Sequence, residues 1–169
     1  MQIQVDWPVQ GGEHASASEP TDEPTDFGDC AATENNDYEN QVLSMINSAR
    51  ESAGLSSLTL SSQLTAAALE HSQVMACADF VDHNGSDGST WYDRVAAQGY
   101  ANYNSARENI YVGDPSFGGT PDGAFTWWMN SQVNRDNILF ASITEIGIGY
   151  VFNSNSSYGG YFTVVFARP

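Results

Sequence analysis

The chain has 169 residues and 41 % of them are hydrophobic, which predicts one globular domain with its own core. Its net charge is −16, from 21 acidic residues against five cations that are all arginine. A charge of this sign repels phosphate, which argues against nucleic-acid binding and against docking on anionic lipid. No apolar run approaches the ~20 residues of a membrane-spanning helix.

The N-terminal part of the chain differs from the rest in composition. Residues 13–39 hold nine acids among serine, threonine and proline, with His14 as the one potential cation. This predicts an acidic, partly extended leader over residues 1–36 and a folded domain over 37–169. Residues 1–12 alternate apolar with polar, as a strand does, and lack the basic and apolar regions of a signal peptide.

Hydrophobic spacing and capping residues predict four helices in the first part of the domain. Residues of each predicted helix place apolar side chains on one face, and His71 lies within the apolar face of the second. The predicted start and stop residues are Asn36 and Gly54 for the first helix, Ser61 for the second, Ser89 and Gly99 for the third, and Thr120 with Pro121 for the start of the fourth.

Strands are predicted between and after these helices. Residues 110–112 form one candidate, and residues 146–152 alternate large apolar with small residues, as a half-buried strand does. Turn-forming residues fill 153–159, and the apolar run 162–167 returns as the partner strand of a hairpin. Helices first and an antiparallel pair at the end predict an α+β fold.

The sequence has no GxSxG, HExxH, P-loop, GxGxxG or CxxC motif. The candidates for a functional site are therefore a few single polar residues. His83 lies in a turn-rich loop, where it can serve as a base or metal ligand or simply be solvated. Glu108 enters a buried strand and therefore needs a metal or an ion pair with Arg94, Arg107 or Arg135. For His71, a core histidine with one hydrogen bond is the favoured interpretation.

The loop around His83 also bears a weak likeness to a calcium-binding loop. Asp82, Asn84, Ser86 and Asp93 have the spacing of oxygen ligands, but Asp87 occupies the position that requires glycine. The two cysteines, at positions 30 and 77, leave open either one disulfide or two free thiols.

Taken in order, several short motifs resemble the CAP superfamily of cysteine-rich secretory proteins, antigen five and pathogenesis-related proteins of class one, in its bacterial single-domain branch. The resemblance covers about residues 37–169. The motifs are Ile46-Asn47-Ser48-Ala49-Arg50, Ala68-Leu69-Glu70-His71-Ser72, Asp82-His83, Glu108-Asn109-Ile110, Trp128-Met129-Asn130-Ser131, Arg135 with Asn137-Ile138-Leu139, and Ile146-Gly147-Ile148-Gly149-Tyr150.

The resemblance implies an α-β-α sandwich, with helices on both sides of a central and mainly antiparallel sheet. It also implies a secreted, extracellular protein, and we expect that the present sequence does not include its signal peptide. Secretion in turn favours a disulfide between Cys30 and Cys77. We expect a monomer.

Members of the family gather two histidines and one or two glutamates in a cleft, and some bind zinc there. His83 and Glu108 match two of these positions. Asn134 stands where the bacterial motif has its second histidine, and no acid lies near Ser131, where other members have a second glutamate. Zinc needs three good protein ligands in a working site, so we expect zinc, calcium or magnesium to bind weakly or not at all.

Two functions from different classes follow from the resemblance. The favoured one is a non-catalytic binding or interaction module for a small apolar ligand or a protein partner, with a degenerate cleft. Its candidate residues are His83, Glu108, Asn134, Ser131, His71 and Arg135. The alternative is a metal-assisted hydrolase or protease in which His83 is base or metal ligand, Glu108 orients it, and Ser131 or water is the nucleophile.

Overall fold

The computed structural model describes residues 30–101 and 103–169, so the predictions for residues 1–29 lie outside the described part. Ten regular elements are found there, apart from a short 3-10 turn at Pro115–Phe117. The helices are α1 Asn36–Ser52, α2 Ser62–Ala78, α3 Trp91–Ala97, α4 Pro121–Asn130 and α5 Gln132–Ile138. The strands are β1 Thr33–Glu34, β2 Thr59–Leu60, β3 Ser105–Gly113, β4 Glu145–Phe152 and β5 Gly160–Arg168.

Local sequence accounts for where the helices begin. Ser61 and Thr120 cap α2 and α4 as predicted, each through its side-chain oxygen. The cap of α1 is Asn35, one residue before the expected Asn36. The cap of α3 is Thr90, which forms a capping box with Asp93, whereas Ser89 was expected.

The sheet has the order β1-β4-β5-β3, with β2 added in parallel to β4 and every other pairing antiparallel. β4 and β5 form the predicted hairpin, and β3 runs along β5 as the far edge. The predicted strand at 110–112 is therefore the centre of a nine-residue strand.

Helices cover both faces of this sheet, so the predicted α-β-α sandwich is confirmed. Side chains at even positions of β4 and β5 pack with α1, α4 and α5 around Trp128. The odd positions of these strands face α2 and α3. Glu108 is paired with Val165 and therefore faces α2 and α3, whereas Asn109 is paired with Val164 and faces α1, α4 and α5.

Two glycines of β4 set the distance between α2 and the sheet. A Cβ atom at Gly147 would lie 2.0 Å from the backbone carbon of Leu64, and one at Gly149 would lie 2.3 Å from the backbone nitrogen of Leu69. No side chain larger than hydrogen fits at either position. The backbone of α2 therefore packs directly on β4.

Arg50 ties the C-terminal end of α1 to two other segments, and no acid among the described residues pairs with it. Its side chain is fully buried and donates to four carbonyl oxygens, one in the loop after α1 and three within residues 138–143. They are Ser56 at 2.9 Å, Ile138 at 2.7 Å, Phe140 at 3.1 Å and Ile143 at 3.3 Å. Burial lowers the pKa of this guanidinium from its ordinary value.

The predicted disulfide between Cys30 and Cys77 is present and joins the residues before β1 to the C-terminal turn of α2. Thr33–Glu34 pairs with β4. The end of the predicted leader is thus attached to the domain covalently and by strand pairing. Within residues 30–101 and 103–169, no helix has the length and apolar character needed to span a bilayer.

Candidate functional site

His83 and Glu108 meet at the outer edge of the sheet, on the α2 and α3 side. His83 Nδ1 lies 2.8 Å from Glu108 Oε1, and Arg94 Nη2 donates to Glu108 Oε2 at 2.8 Å. The Glu108 side chain is 0 % exposed, that of Arg94 is 4 % exposed, and that of His83 is 14 % exposed. Both carboxylate oxygens of Glu108 are therefore engaged by the protein itself.

The backbone of the His83 loop fixes the same pair. Arg94 Nη2 also donates to the carbonyl oxygen of His83 at 2.9 Å, and Nη1 reaches the carbonyl oxygen of Ser89 at 3.4 Å. One guanidinium on α3 thus holds the loop and the strand carboxylate together. The ion pair with Arg94 is one of the three that the sequence left open for Glu108.

The electrostatics of the pair favour an ionised Glu108. Burial acts to raise the pKa of Glu108, but His71, His83 and Arg94 together outweigh it and hold the pKa below its ordinary value. Since an ionised carboxylate only accepts, His83 donates from Nδ1–H to Glu108. Nε2 is then the nitrogen of His83 that is left for a base or a ligand.

His71 lies beside this pair in the core, as the sequence favoured. It is fully buried, and its Nε2 donates to the carbonyl oxygen of Asp82 at 2.8 Å. Its Nδ1 has no hydrogen-bond partner within the described residues. Burial lowers the pKa of His71 to about 4, although the nearby Glu108 acts in the opposite direction. His71 is therefore neutral at pH 7.

The acids of the loop that precedes α3 bond to their own backbone. Asp82 Oδ1 accepts from the amide of Asn84 at 2.8 Å, and Asp87 Oδ1 accepts from the amide of Ser89 at 2.8 Å. Asp93 accepts from the N-cap residue of α3. These bonds are local turns and a helix cap. Asp82 and Asp93, the two acids that gave the loop its likeness to a calcium site, thus have structural roles in a turn and a helix cap.

A second polar cluster lies on the opposite face of β3. Asn109 donates to the carbonyl oxygen of Asn134 at 3.1 Å. Asn137 donates to Asn109 Oδ1 at 2.8 Å and to the carbonyl oxygen of Glu108 at 3.3 Å. Asn134 Nδ2 donates to Ser131 Oγ at 3.0 Å. The predicted cleft residues thus divide into two clusters, with His71, His83 and Glu108 in one and Asn134 and Ser131 in the other.

The remaining cations turn away from Glu108. Arg107 lies 3.8 Å above the ring of Phe140 and donates to Asn137 Oδ1 at 3.1 Å, on the face that carries α5. Arg135 donates to the carbonyl oxygen of Met129 at 3.2 Å and to Gln132 at 2.7 Å. Arg135 therefore stabilises the junction of α4 and α5.

No local sequence pattern singles out the partners that complete the two clusters. Arg94 was one of three candidates for Glu108, and nothing in its spacing singled it out. Asn109 and Asn137 were seen as parts of motifs but not as a hydrogen-bonded pair. Thr90 caps α3 and thereby places Arg94 in the last turn of that helix. This cap is the local feature of the sequence that bears on the position of Arg94.

Most of the large aromatic residues beside the two clusters belong to the core. Trp91, Tyr100 and Trp128 are buried. Tyr92 and Trp127 are partly buried against the same clusters. These aromatic side chains therefore support the fold.

The layers, the antiparallel sheet and the His–Glu pair at its edge define an α-β-α sandwich domain of the class that the sequence motifs suggested. The chain belongs to the CAP family, the cysteine-rich secretory protein family, whose match covers residues 43–166. It is 33 % identical over 137 residues to the uncharacterized protein YkwD of Bacillus subtilis, which covers 81 % of this chain. The chain spans about half, 51 %, of the length of YkwD.

Solved structures give the same result for the fold. An extracellular protein with an SCP domain from Bacillus anthracis superposes with a TM-score of 0.68 at 25 % identity, covering 80 % of this chain and 41 % of its own. An outer surface protein of Borrelia burgdorferi superposes with a TM-score of 0.71 at 17 % identity, covering 81 % of this chain and 98 % of its own. The second likeness concerns the fold alone.

Proposed function

We propose that this chain is a secreted CAP-domain protein that works as a non-catalytic binding or interaction module. The observation that supports the proposal is the state of Glu108, whose two oxygens are bonded to His83 and Arg94 and whose side chain is 0 % exposed. A carboxylate in this state cannot take up a metal ion or a proton from substrate without breaking a buried ion pair. Its role is to hold the His83 loop on the sheet.

The donor set does not fit the zinc that some members of the family bind. Zinc needs three protein ligands that can approach it together. Here His83 has one nitrogen left, Glu108 is engaged, and the Arg94 charge 2.8 Å from Glu108 repels a cation. Among residues 30–101 and 103–169, no three side chains of histidine, cysteine, aspartate or glutamate are grouped as a metal site.

Secretion is supported by two independent observations. The Cys30–Cys77 disulfide is of a kind that persists in oxidising compartments. A structurally similar protein from Bacillus anthracis, at 25 % identity, is described as extracellular. An assay of the mature protein in culture medium, against a cytosolic marker, tests this part of the proposal.

A thermal melt of the chelated protein with added zinc, calcium or magnesium tests the proposal that the domain binds no metal ion. A ligand that binds only the folded state raises its stability, so we expect no ion to raise the Tm. A zinc-dependent rise that His83→Ala abolishes would overturn the proposal. Because Asn134 lies in the other cluster, we expect Asn134→His to raise zinc affinity no more than Asn155→His, the matched control in the exposed turn between β4 and β5.

One observation favours the hydrolase alternative. The Nδ1–H of His83 bonds to Glu108 and leaves Nε2 as the other ring nitrogen, an arrangement that hydrolases use to activate a hydroxyl or water. Hydrolysis of a chromogenic short-chain ester or of labelled casein that is lost in both His83→Ala and Glu108→Gln, with folding retained, would establish it. Activity that survives both variants excludes this pair as its source.

A further inference from the structure

A surface pocket lies along the outer face of α4, away from both clusters of the candidate site. Its volume is about 410 Å³, which is within the ~300–1,000 Å³ of ligand sites. Gly118, Gly123 and Trp127 form part of its lining. α4 packs on the sheet face opposite to the one that carries His83, and the pocket shares no residue with the His83 or the Asn134 cluster. It is thus independent of the site discussed above.

Three exposed polar side chains of α4 line one side of the pocket. They are Asp122, Thr126 and Asn130, which are spaced four residues apart and therefore lie along one face of the helix. We call these three side chains the polar row. With a helical rise of about 1.5 Å per residue, the row is about 12 Å long. None of the three side chains bonds to a described residue, so all three are available to a ligand.

The indole ring of Trp127 supplies the apolar part of the pocket. The ring is partly buried against the core, and its centroid lies 6.4 Å from that of Tyr111. Gly123 lies one turn before Trp127, in the direction in which a helical side chain leans, and has no side chain to cover the ring. The indole N–H donates to no described residue and is not one of the buried polar groups without a partner. The ring therefore offers a ligand both an apolar face and a donor.

The turn before α4 fixes the end of the pocket. Tyr111 Oη donates to the carbonyl oxygen of Gly118 at 3.0 Å. A Cβ atom at Gly123 would clash with that same carbonyl oxygen, and one at Gly119 would clash with the carbonyl oxygen of Gly113. The turn is therefore packed directly on the backbone of both α4 and β3. A pocket that is formed in advance in this way loses little conformational entropy when a ligand binds.

The groups that face the pocket define the chemistry of its ligand. The indole N–H of Trp127 can only donate and the ionised carboxylate of Asp122 can only accept, so the ligand needs both acceptors and donors. A hydroxyl group supplies both. An anionic ligand is disfavoured, because no described cation lines the pocket and the chain carries a net charge of −16. The ligand is therefore neutral, rich in hydroxyls, and apolar on the side that meets the ring.

We propose that this pocket binds a neutral glycan, with one pyranose ring on the face of Trp127 and its hydroxyls bonded to the polar row. A pyranose with equatorial hydroxyls has C–H groups on its faces and donors and acceptors around its edge. The negative face of an aromatic ring attracts such C–H groups. The polar row is longer than one sugar ring, so it suits two linked units. An extended peptide suits it less, because its successive backbone groups point to opposite sides.

The test is a titration of the ¹⁵N-labelled full chain with cellotriose and with chitotriose, followed by the chemical shifts of amide and indole N–H groups. We expect saturable shifts at the indole of Trp127 and at the amides of Gly123 and Asn130 with at least one of the two sugars. Sorbitol, which has the hydroxyls but no ring, should give none. No saturable shift with either sugar, or shifts confined to other residues, would overturn the proposal. An end-blocked Ser-Ala-Ser peptide that binds as tightly as the sugars would also overturn it.

A double variant removes most of the polar row. Thr126→Ala combined with Asn130→Ala deletes two groups that make no bond within the fold, so we expect sugar affinity to fall at least about fivefold with no fall in Tm. Asn40→Ala combined with Ser44→Ala is the matched control, because it removes an amide and a hydroxyl from exposed positions four residues apart on α1. The control should bind like the wild type. Equal affinity of the two double variants would contradict the proposal.

Two variants of Trp127 test the stacked ring. Trp127→Phe keeps an aromatic face without the indole N–H, whereas Trp127→Leu removes both, and circular dichroism checks that each variant is folded. We expect weakened binding by the first and no measurable binding by the second. Wild-type affinity of Trp127→Leu would refute the stacking. His83→Ala should leave sugar binding unchanged, so a failure here is distinguishable from a failure of the proposed function.

Discussion

Replacing Glu108 by glutamine is the sharpest test of whether its carboxylate is structural. The substitution keeps the shape of the side chain and removes its charge. Arg94 then retains the carbonyls of His83 and Ser89, but its 4 % exposed guanidinium loses the carboxylate that neutralises it. Leaving one charge of a buried pair without its partner costs about 3–5 kcal/mol. Since the glutamine oxygen still accepts one hydrogen bond, we expect about 3 kcal/mol.

For a chain of this size, that loss corresponds to a fall in Tm of roughly 6–12 °C at pH 7. Circular dichroism and urea unfolding of Glu108→Gln measure it, with Glu51→Gln as an exposed control that should stay within ~0.5 kcal/mol of wild type. Adding Arg94→Met to Glu108→Gln should recover part of the loss, because no unpaired charge then remains. A Tm within 2 °C of wild type for Glu108→Gln would refute the structural role and free the carboxylate for chemistry.

Three further predictions concern stability. Arg50→Met should cost about 4 kcal/mol, because four buried carbonyls lose their donor. Arg168→Met, at an exposed position, should cost little, and equal melts of the two variants would contradict this. His71 has a pKa of about 4 in the fold against 6.5 outside it, so its contribution is complete above pH 6.5 and is lost towards pH 4. The loss is about 3 kcal/mol, and His71→Gln should flatten the Tm against pH over that window. Reduction of the Cys30–Cys77 bond, which spans 47 residues, should lower stability by about 4 kcal/mol without unfolding the domain at 25 °C, as thiol titration with circular dichroism will show.

Periodicity and capping predicted most of the elements because those signals are local. Thr120 with Pro121 fixes the start of α4, and the alternation at 146–152 fixes β4. The short helix α5 was not predicted, since Gln132–Ile138 has no side-chain cap and follows α4 after one residue. Its helical state comes from packing Ile138 into the core.

The contact between two candidate residues could be predicted from the sequence, but the geometry around them could not. The family motifs placed His83 and Glu108 together, and the structure brings them within 2.8 Å. The division into two clusters follows from strand register, because Glu108 and Asn109 face opposite sides of β3. Register depends on pairing with β5, which is remote in sequence, so no local pattern carries it.

The contact of α2 with the glycines of β4 also determines where this domain can vary. Because no side chain separates the α2 backbone from Gly147 or Gly149, both the distance of the helix from the sheet and its position along β4 are fixed. The loop between α2 and α3 follows the C-terminal end of this helix, and Arg94 holds it at the carbonyl oxygens of His83 and Ser89. Residues 84–88 between these anchors can therefore lengthen or change at a small cost in loop-closure entropy. New specificities can arise in that loop while the sandwich stays unchanged.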